Sequence, residues 1–165
     1  MSGLYAQPSV LTESAIKELL LRMLACIIKK YMSNKTPTQL AQLKSTLSSD
    51  VYQVMFEGET EAPFSSPLNT EKRKGTFVTA DTKLPIYRSE DKYDSGTGWP
   101  SFTKPIEGST VLREDKSLSS VRLEVVSSDT GAHLGHVFDD GPSDRGGKRY
   151  CMNGVALLFI PDEAP

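Results

Sequence analysis

The sequence predicts a mainly β fold with helices at its N-terminal end, and two observations carry that expectation. Up to about residue 56 the apolar residues recur at helical spacing. After Gly75 they fall into short β-branched or aromatic runs separated by Gly, Pro, Asp and Ser clusters. No helical segment lies between those runs, so they are expected to pair antiparallel rather than through parallel crossovers. At 165 residues the chain fits one domain of ordinary size, over residues 36–165, plus an N-terminal extension over residues 1–35.

Taken in order, residues 1–10 read as a disordered tail. Thr12 to Met32 is helical, with Thr12 or Ser14 as N-cap and Lys29 and Lys30 late, where they suit the helix dipole. Ile16, Leu20, Met23, Leu24, Ile27 and Tyr31 share one face of that helix, and Cys26 lies on its flank. Ser33 to Pro37 breaks it. A second helix is expected over Thr38 to Leu47. A third, short one covers Ser49 to Phe56, with Val51, Val54 and Met55 at inward spacing. Gly58 and Pro63 then punctuate a loop that runs to Lys74.

Strands are expected at Thr76–Thr79, Pro85–Tyr87 and Val121–Val126, with a short one at Val137–Phe138 and a long one from Lys148 to Ile160. Alternation along the last places Arg149, Cys151 and Asn153 on one face and Tyr150 and Met152 on the other. Val155, Leu157 and Phe159 return the first face to the core. Only the first half of that strand is polar, as expected where a strand emerges at a pocket.

Composition excludes several classes of function. The chain is 38% hydrophobic and 24% charged, with a formal net charge of -2, so there is no general pull toward nucleic acid or an anionic membrane. No stretch approaches 18 uninterrupted apolar residues, and Met1 to Val10 lacks the basic start of a secretory signal. Two cysteines favour a reducing, cytoplasmic setting over a disulfide scaffold. A soluble monomer that binds neither nucleic acid nor membrane is expected.

Chemistry concentrates in three segments. Cys151, in Arg149-Tyr150-Cys151-Met152-Asn153, follows His133-Leu134-Gly135-His136 and a Gly/Asp-rich loop, an arrangement that suits a nucleophile but also a small buried hydrophobe. A guanidinium beside the sulfur favours thiolate over thiol. The histidines read as general acids, as hydrogen-bonded structural groups or, with Cys151, as metal ligands, although two imidazoles alone do not make a site. Trp99, between glycines and a proline, is a pocket wall or a core plug. These residues admit a cysteine hydrolase or a binding module as well as a redox enzyme.

Asp94-Ser95-Gly96-Thr97-Gly98-Trp99-Pro100-Ser101-Phe102, the run from His133 to Pro142 and the run from Arg149 to Asn153 together resemble the B-type peptide methionine-R-sulfoxide reductases. The resemblance covers about residues 36 to 160 and includes Thr60-Glu61, Pro63-Phe64 and Leu84-Pro85. It implies two antiparallel sheets in a β-tent, Mss4-like fold, and an enzyme that repairs oxidised proteins and peptides through a sulfenic acid at Cys151. It further implies Trp99 and Phe138 as substrate-binding residues, and His133 and His136 as the groups handling the sulfoxide oxygen, with His136 the proton donor. Arg149, Asp140 and Asn153 become supporting groups. Many members carry two Cys-x-x-Cys pairs that bind zinc; this chain has Thr79, Thr82, Ser127 and Thr130 there, so no metal and no bound cofactor is expected. Thr97 stands where a resolving cysteine often sits. Cys151 is then to be regenerated by Cys26, the one other cysteine, or, as preferred here, by an external thiol such as thioredoxin or a small thiol.

Overall fold

The computed structural model describes residues 36–118 and 120–162. The expected helix over Thr12–Met32, with Cys26, lies outside them. Thr36 opens the described chain as a capping residue: its hydroxyl accepts the Gln39 amide at 3.3 Å while the Gln39 side chain accepts the Thr36 amide at 2.8 Å. Helix α1 follows over Pro37–Thr46, and α2 over Ser49–Glu57. Gly58 ends α2 at φ 79°, the left-handed conformation that glycine adopts without strain. Val54 and Met55 are buried and Val51 packs against the core, as the spacing predicts. No helix among the described residues is long and apolar enough to cross a membrane.

Nine strands follow among the described residues: β1 Gly75–Thr79, β2 Pro85–Arg88, β3 Lys92–Tyr93, β4 Ser101–Phe102, β5 Thr110–Asp115, β6 Arg122–Ser127, β7 His133–Phe138, β8 Arg149–Met152 and β9 Leu157–Pro161. They form two antiparallel sheets, one in the order β2-β1-β9 and one in the order β3-β4-β8-β7-β6-β5. An aromatic cluster joins them. Tyr87 of the small sheet stacks on Phe102 of the large one at 4.1 Å between centroids, and Phe77 meets the same ring edge-on at 5.0 Å. The Tyr87 hydroxyl donates to Met152 Sδ at 3.1 Å, which gives a buried phenol its partner.

Three strand expectations are corrected. The run from Lys148 to Ile160 is two strands: a 3-10 turn over Gly154–Ala156 carries the chain from the large sheet to the small one. Alternation survives across the break, since Leu157 is buried and Phe159 packs against the core, but Val155 lies in the turn. Strand β7 reaches back to His133. A Cβ at Gly135 would lie 2.1 Å from the Cys151 carbonyl oxygen, so only glycine lets β7 and β8 close here. Strand β5 was not expected at all. It is the outer strand of its sheet, half-buried to exposed and rich in charge, so no apolar alternation marks it.

The four positions where the resemblance would place zinc ligands do not suit the metal, which takes thiolates and imidazoles. Their hydroxyls are engaged elsewhere. Thr79 Oγ1 accepts the Leu84 amide at 3.1 Å and lies 3.3 Å from Thr82 Oγ1, while Ser127 Oγ accepts the Asp129 amide at 3.3 Å. Thr130 donates to Asp81 at 2.8 Å and thereby joins the two loops. Excess chelator is therefore expected to leave the melting temperature unchanged. A fall in that temperature, with one equivalent of zinc released, would contradict this.

Candidate active site

Strand register aligns the reactive groups across one face of the large sheet. Ser101, Cys151, His136, Glu124 and Arg113 are successive cross-strand partners on β4, β8, β7, β6 and β5. Tyr150 and Met152 take the opposite side of β8: Met152 meets Tyr87, and the Tyr150 ring lies 6.1 Å from the Tyr87 ring. The alternation expected for this segment therefore holds through Met152.

A pocket of about 140 Å³ opens beside the sulfur, lined by Trp99, Arg122, His136, Phe138, Cys151 and Asn153 among others. It is small against the roughly 300–1,000 Å³ of sites that enclose a drug-sized ligand, so it suits a single headgroup. Trp99 is half-buried and forms part of the wall. Arg149 lies with its guanidinium carbon 4.5 Å from the centre of the Phe138 ring. It also makes a two-pronged bond to Asp140, at 2.8 and 2.9 Å.

Glu61, in the loop after α2, holds several of these parts together. Its carbonyl accepts the Trp99 indole N–H at 3.2 Å, and its amide donates to Asn153 Oδ1 at 3.1 Å. Its carboxylate accepts the amides of Gly154 and Val155, the latter at 3.1 Å. Gly154 has no room for a side chain, because a Cβ there would meet Ser66 Oγ at 2.0 Å. Burial raises the Glu61 carboxyl above its ordinary pKa against the lowering effect of those two amides. Asn153 is itself tied to β7 by its amide, which donates to the Leu134 carbonyl at 2.8 Å.

Cys151 is half-buried. Thr97 Oγ1 lies 4.0 Å from its sulfur, at the head of a hydroxyl chain in which Ser95 Oγ is 2.8 Å from Thr97 Oγ1 and 2.7 Å from Ser101 Oγ. Burial pushes the thiol above its ordinary pKa, and it outweighs the charge of Arg149 and the hydrogen bonds of Thr97, Arg149 and Ser101. The guanidinium does favour thiolate, as expected, but burial outweighs it and the net shift is upward. Arg149 is still the strongest of the groups that lower the thiol pKa, while also bonded to Asp140.

Each histidine ends a chain of arginine, carboxylate and imidazole. Arg113 donates to Glu124 Oε2 at 3.1 Å, and Glu124 Oε1 lies 2.8 Å from His133 Nδ1. Arg122 donates to Asp115 Oδ2 at 2.6 Å, and the same oxygen lies 2.8 Å from His136 Nε2. The two imidazoles meet edge-on with centroids 5.2 Å apart. Burial drives the His136 pKa below its ordinary value; the bond to Asp115 opposes this, and the charges of Arg122 and His133 add to it. Among the described residues His133 Nε2 and Arg122 Nε are buried without a hydrogen-bond partner.

Of the residues singled out in the sequence, Trp99, His136, Phe138, Cys151 and Asn153 line the pocket, and Arg149, bonded to Asp140, reaches it through the Phe138 ring. His133 does not line it. It faces a recess against α2 with Tyr52, Phe56, Arg113 and Glu124, and touches the site through His136. No group of three or more His, Cys, Asp or Glu among the described residues could hold a metal ion. Sequence reasoning overlooked Glu61, Asp115, Arg122 and Glu124. Glu61 stood within a matched motif; the others act across strand pairings that no local signal announces.

A family model described as the SelR domain matches residues 47–161. That match begins within the turn between α1 and α2, so α1 falls outside it. Among solved structures the fold is similar to one described as the crystal structure of the Mis18 "Yippee-like" domain, at 12% identity and a TM-score of 0.43, over 56% of this chain and 100% of that one.

The raised thiol pKa predicts a pH profile. Below its pKa the thiolate fraction rises about tenfold per pH unit, so alkylation of the Cys151 peptide by iodoacetamide should be slow at pH 7 and still climbing at pH 9. A rate already level between pH 6 and 7, read by mass spectrometry, would show a depressed pKa instead.

Proposed function

The chain belongs to the SelR domain family, a family of methionine sulfoxide reductases, and on that premise we propose that it reduces methionine-R-sulfoxide in oxidised proteins and peptides. The observation that carries this reading is the half-buried Cys151 thiol in a small pocket between Trp99, Phe138 and His136. A flat indole face suits the S-methyl group, and the imidazole and Arg122, with Thr60 and Asn153, are the polar side chains lining the pocket for the sulfoxide oxygen.

In the proposed reaction Cys151 Sγ attacks the sulfoxide sulfur. The thiol proton passes through His136 to the sulfoxide oxygen, so His136 acts as donor after first acting as acceptor. The methionine sulfur–oxygen bond breaks as the oxygen moves to Cys151, leaving methionine and a Cys151 sulfenic acid. The methionine sulfur gains two electrons and the cysteine sulfur loses two. An external thiol then attacks the sulfenic sulfur and releases water; a second thiol, as in thioredoxin, resolves the mixed disulfide. His133 supports His136 through their ring contact. Arg149, Asp140 and Asn153 hold the rim and back of the site. No resident cofactor enters, and the proposed setting is cytoplasmic.

The pocket is handed, since methyl, oxygen and sulfur each have a separate partner. Only the R-epimer is expected to turn over, and equal rates on the two purified epimers would overturn the assignment. Cys151→Ser should abolish turnover while leaving the circular dichroism spectrum intact.

Regeneration is tested by mass spectrometry after one equivalent of substrate without reductant. A dimedone-trapped sulfenate at Cys151, and full activity in Cys26→Ser with thioredoxin, are expected. A two-dalton loss with linked Cys26 and Cys151 peptides would instead make Cys26 the resolving thiol.

A further inference from the structure

We propose that Asp115, braced by Arg122, is a positioning residue that fixes His136 in the tautomer protonated on Nε2, leaving Nδ1 as the atom that takes up and returns the proton of the reaction. This rests on the reductase reading for its catalytic meaning, but the tautomer itself does not.

The argument begins with the carboxylate. Asp115 is the last residue of β5, and its Oδ1 accepts the amide of Ser117 at 2.9 Å, at the start of the hairpin turn. Its Oδ2 is shared by Arg122 at 2.6 Å and His136 Nε2 at 2.8 Å. Held by partners on both oxygens, the group cannot rotate away from the imidazole. Hydrogen bonds from the Ser117 side chain and amide, then from His136 and Arg122, keep its pKa well below the usual carboxylate range. An ionised carboxylate can only accept, so the proton between Asp115 and His136 sits on Nε2. The ring is neutral at pH 7, because burial lowers its pKa. A neutral imidazole protonated on Nε2 has its lone pair on Nδ1.

The surroundings of the ring give Asp115 a second effect. Facing His136 are Asp115 from β5, Arg122 and Glu124 from β6, His133 and Phe138 on its own strand, and Cys151 and Arg149 from β8. Arg122 and His133 oppose a positive ring. Asp115 is the carboxylate bonded to it, and so the group that stabilises the imidazolium formed while the proton is in transit. Glu124 cannot substitute, since it is bonded to His133 Nδ1 and Arg113. The two histidines are thus anchored through opposite nitrogens, which makes their free nitrogens His136 Nδ1 and His133 Nε2. This arrangement fixes the orienting half of an acid–base pair without any contact between Asp115 and the substrate.

The test is the nitrogen NMR spectrum of the full-length protein labelled at histidine, recorded without substrate at pH 7.5. The expected result for His136 is a protonated, pyrrole-type Nε2 and an unprotonated, pyridine-type Nδ1; the reverse pattern overturns the proposal whatever the activity. Asp115→Asn should mix the two tautomers and lower kcat by at least about tenfold with KM little changed. Loss of the carboxylate disfavours the imidazolium, so the acid limb of kcat should move to lower pH. Asp115→Glu, which keeps the charge and the acceptor, should recover part of the loss. Wild-type kcat and an unmoved acid limb in Asp115→Asn would overturn the catalytic role. A wild-type protein with no activity on methionine sulfoxide would overturn the functional reading instead, and the NMR result would still decide the tautomer.

Discussion

The bond between the Glu61 carboxylate and the amides of Gly154 and Val155 is the constraint on which the rest of this structure depends. A chain leaving β8 would otherwise continue as a strand of the large sheet. Instead it turns over three residues and enters the small sheet as β9. Two amides released from strand pairing need acceptors, and leaving each unsatisfied costs about 1–3 kcal/mol. One carboxylate supplies both. Because the backbone of the same residue also meets Trp99 and Asn153, the wall of the pocket and the end of the sulfur-bearing strand are referenced to one point.

Charge is distributed on the same principle of paired commitments. Arginines 113, 122 and 149 each engage a carboxylate, and in two of the three cases the carboxylate passes the interaction on to an imidazole. A buried charge is tolerable when it is paired and hydrogen-bonded, and pairing also limits how far its field reaches. At Cys151 it is burial that decides: it outweighs the charge of Arg149, two residues away, so the guanidinium does not produce a thiolate in the resting protein. The thiol is held protonated in the free protein, in a pocket that His136 also lines.

Much of this was legible in the sequence, and the exceptions have physical reasons. Alternation on β8 gave the sidedness of Arg149, Cys151, Tyr150 and Met152 because a strand has a period of two whatever it pairs with. The motifs around Trp99, His136 and Cys151 named most of the pocket. The break at Gly154 was not visible, since its cause is a side chain 93 residues earlier. Strand β5 was hidden because an exposed edge strand needs no buried face. Asp115 and Glu124 were missed for a related reason: each is an ordinary surface acid until the sheet pairs and brings it to a histidine. The net thiol pKa went the other way from expectation because sequence reports that an arginine is near, not how far the sulfur is buried.

Gly135 carries a consequence for how this protein can vary. It lies between the two imidazoles, with the Cys151 carbonyl where any side chain would begin. Most positions in a strand accept several residues of similar volume, because neighbouring side chains can adjust. Here the obstacle is backbone, which no rotamer change elsewhere can move aside. Even alanine would force β7 from β8 and carry His136 away from Cys151. The spacing of the two histidines is therefore closed to gradual exploration: a lineage could abandon it together with the site, but could not pass through intermediate forms that keep the site working.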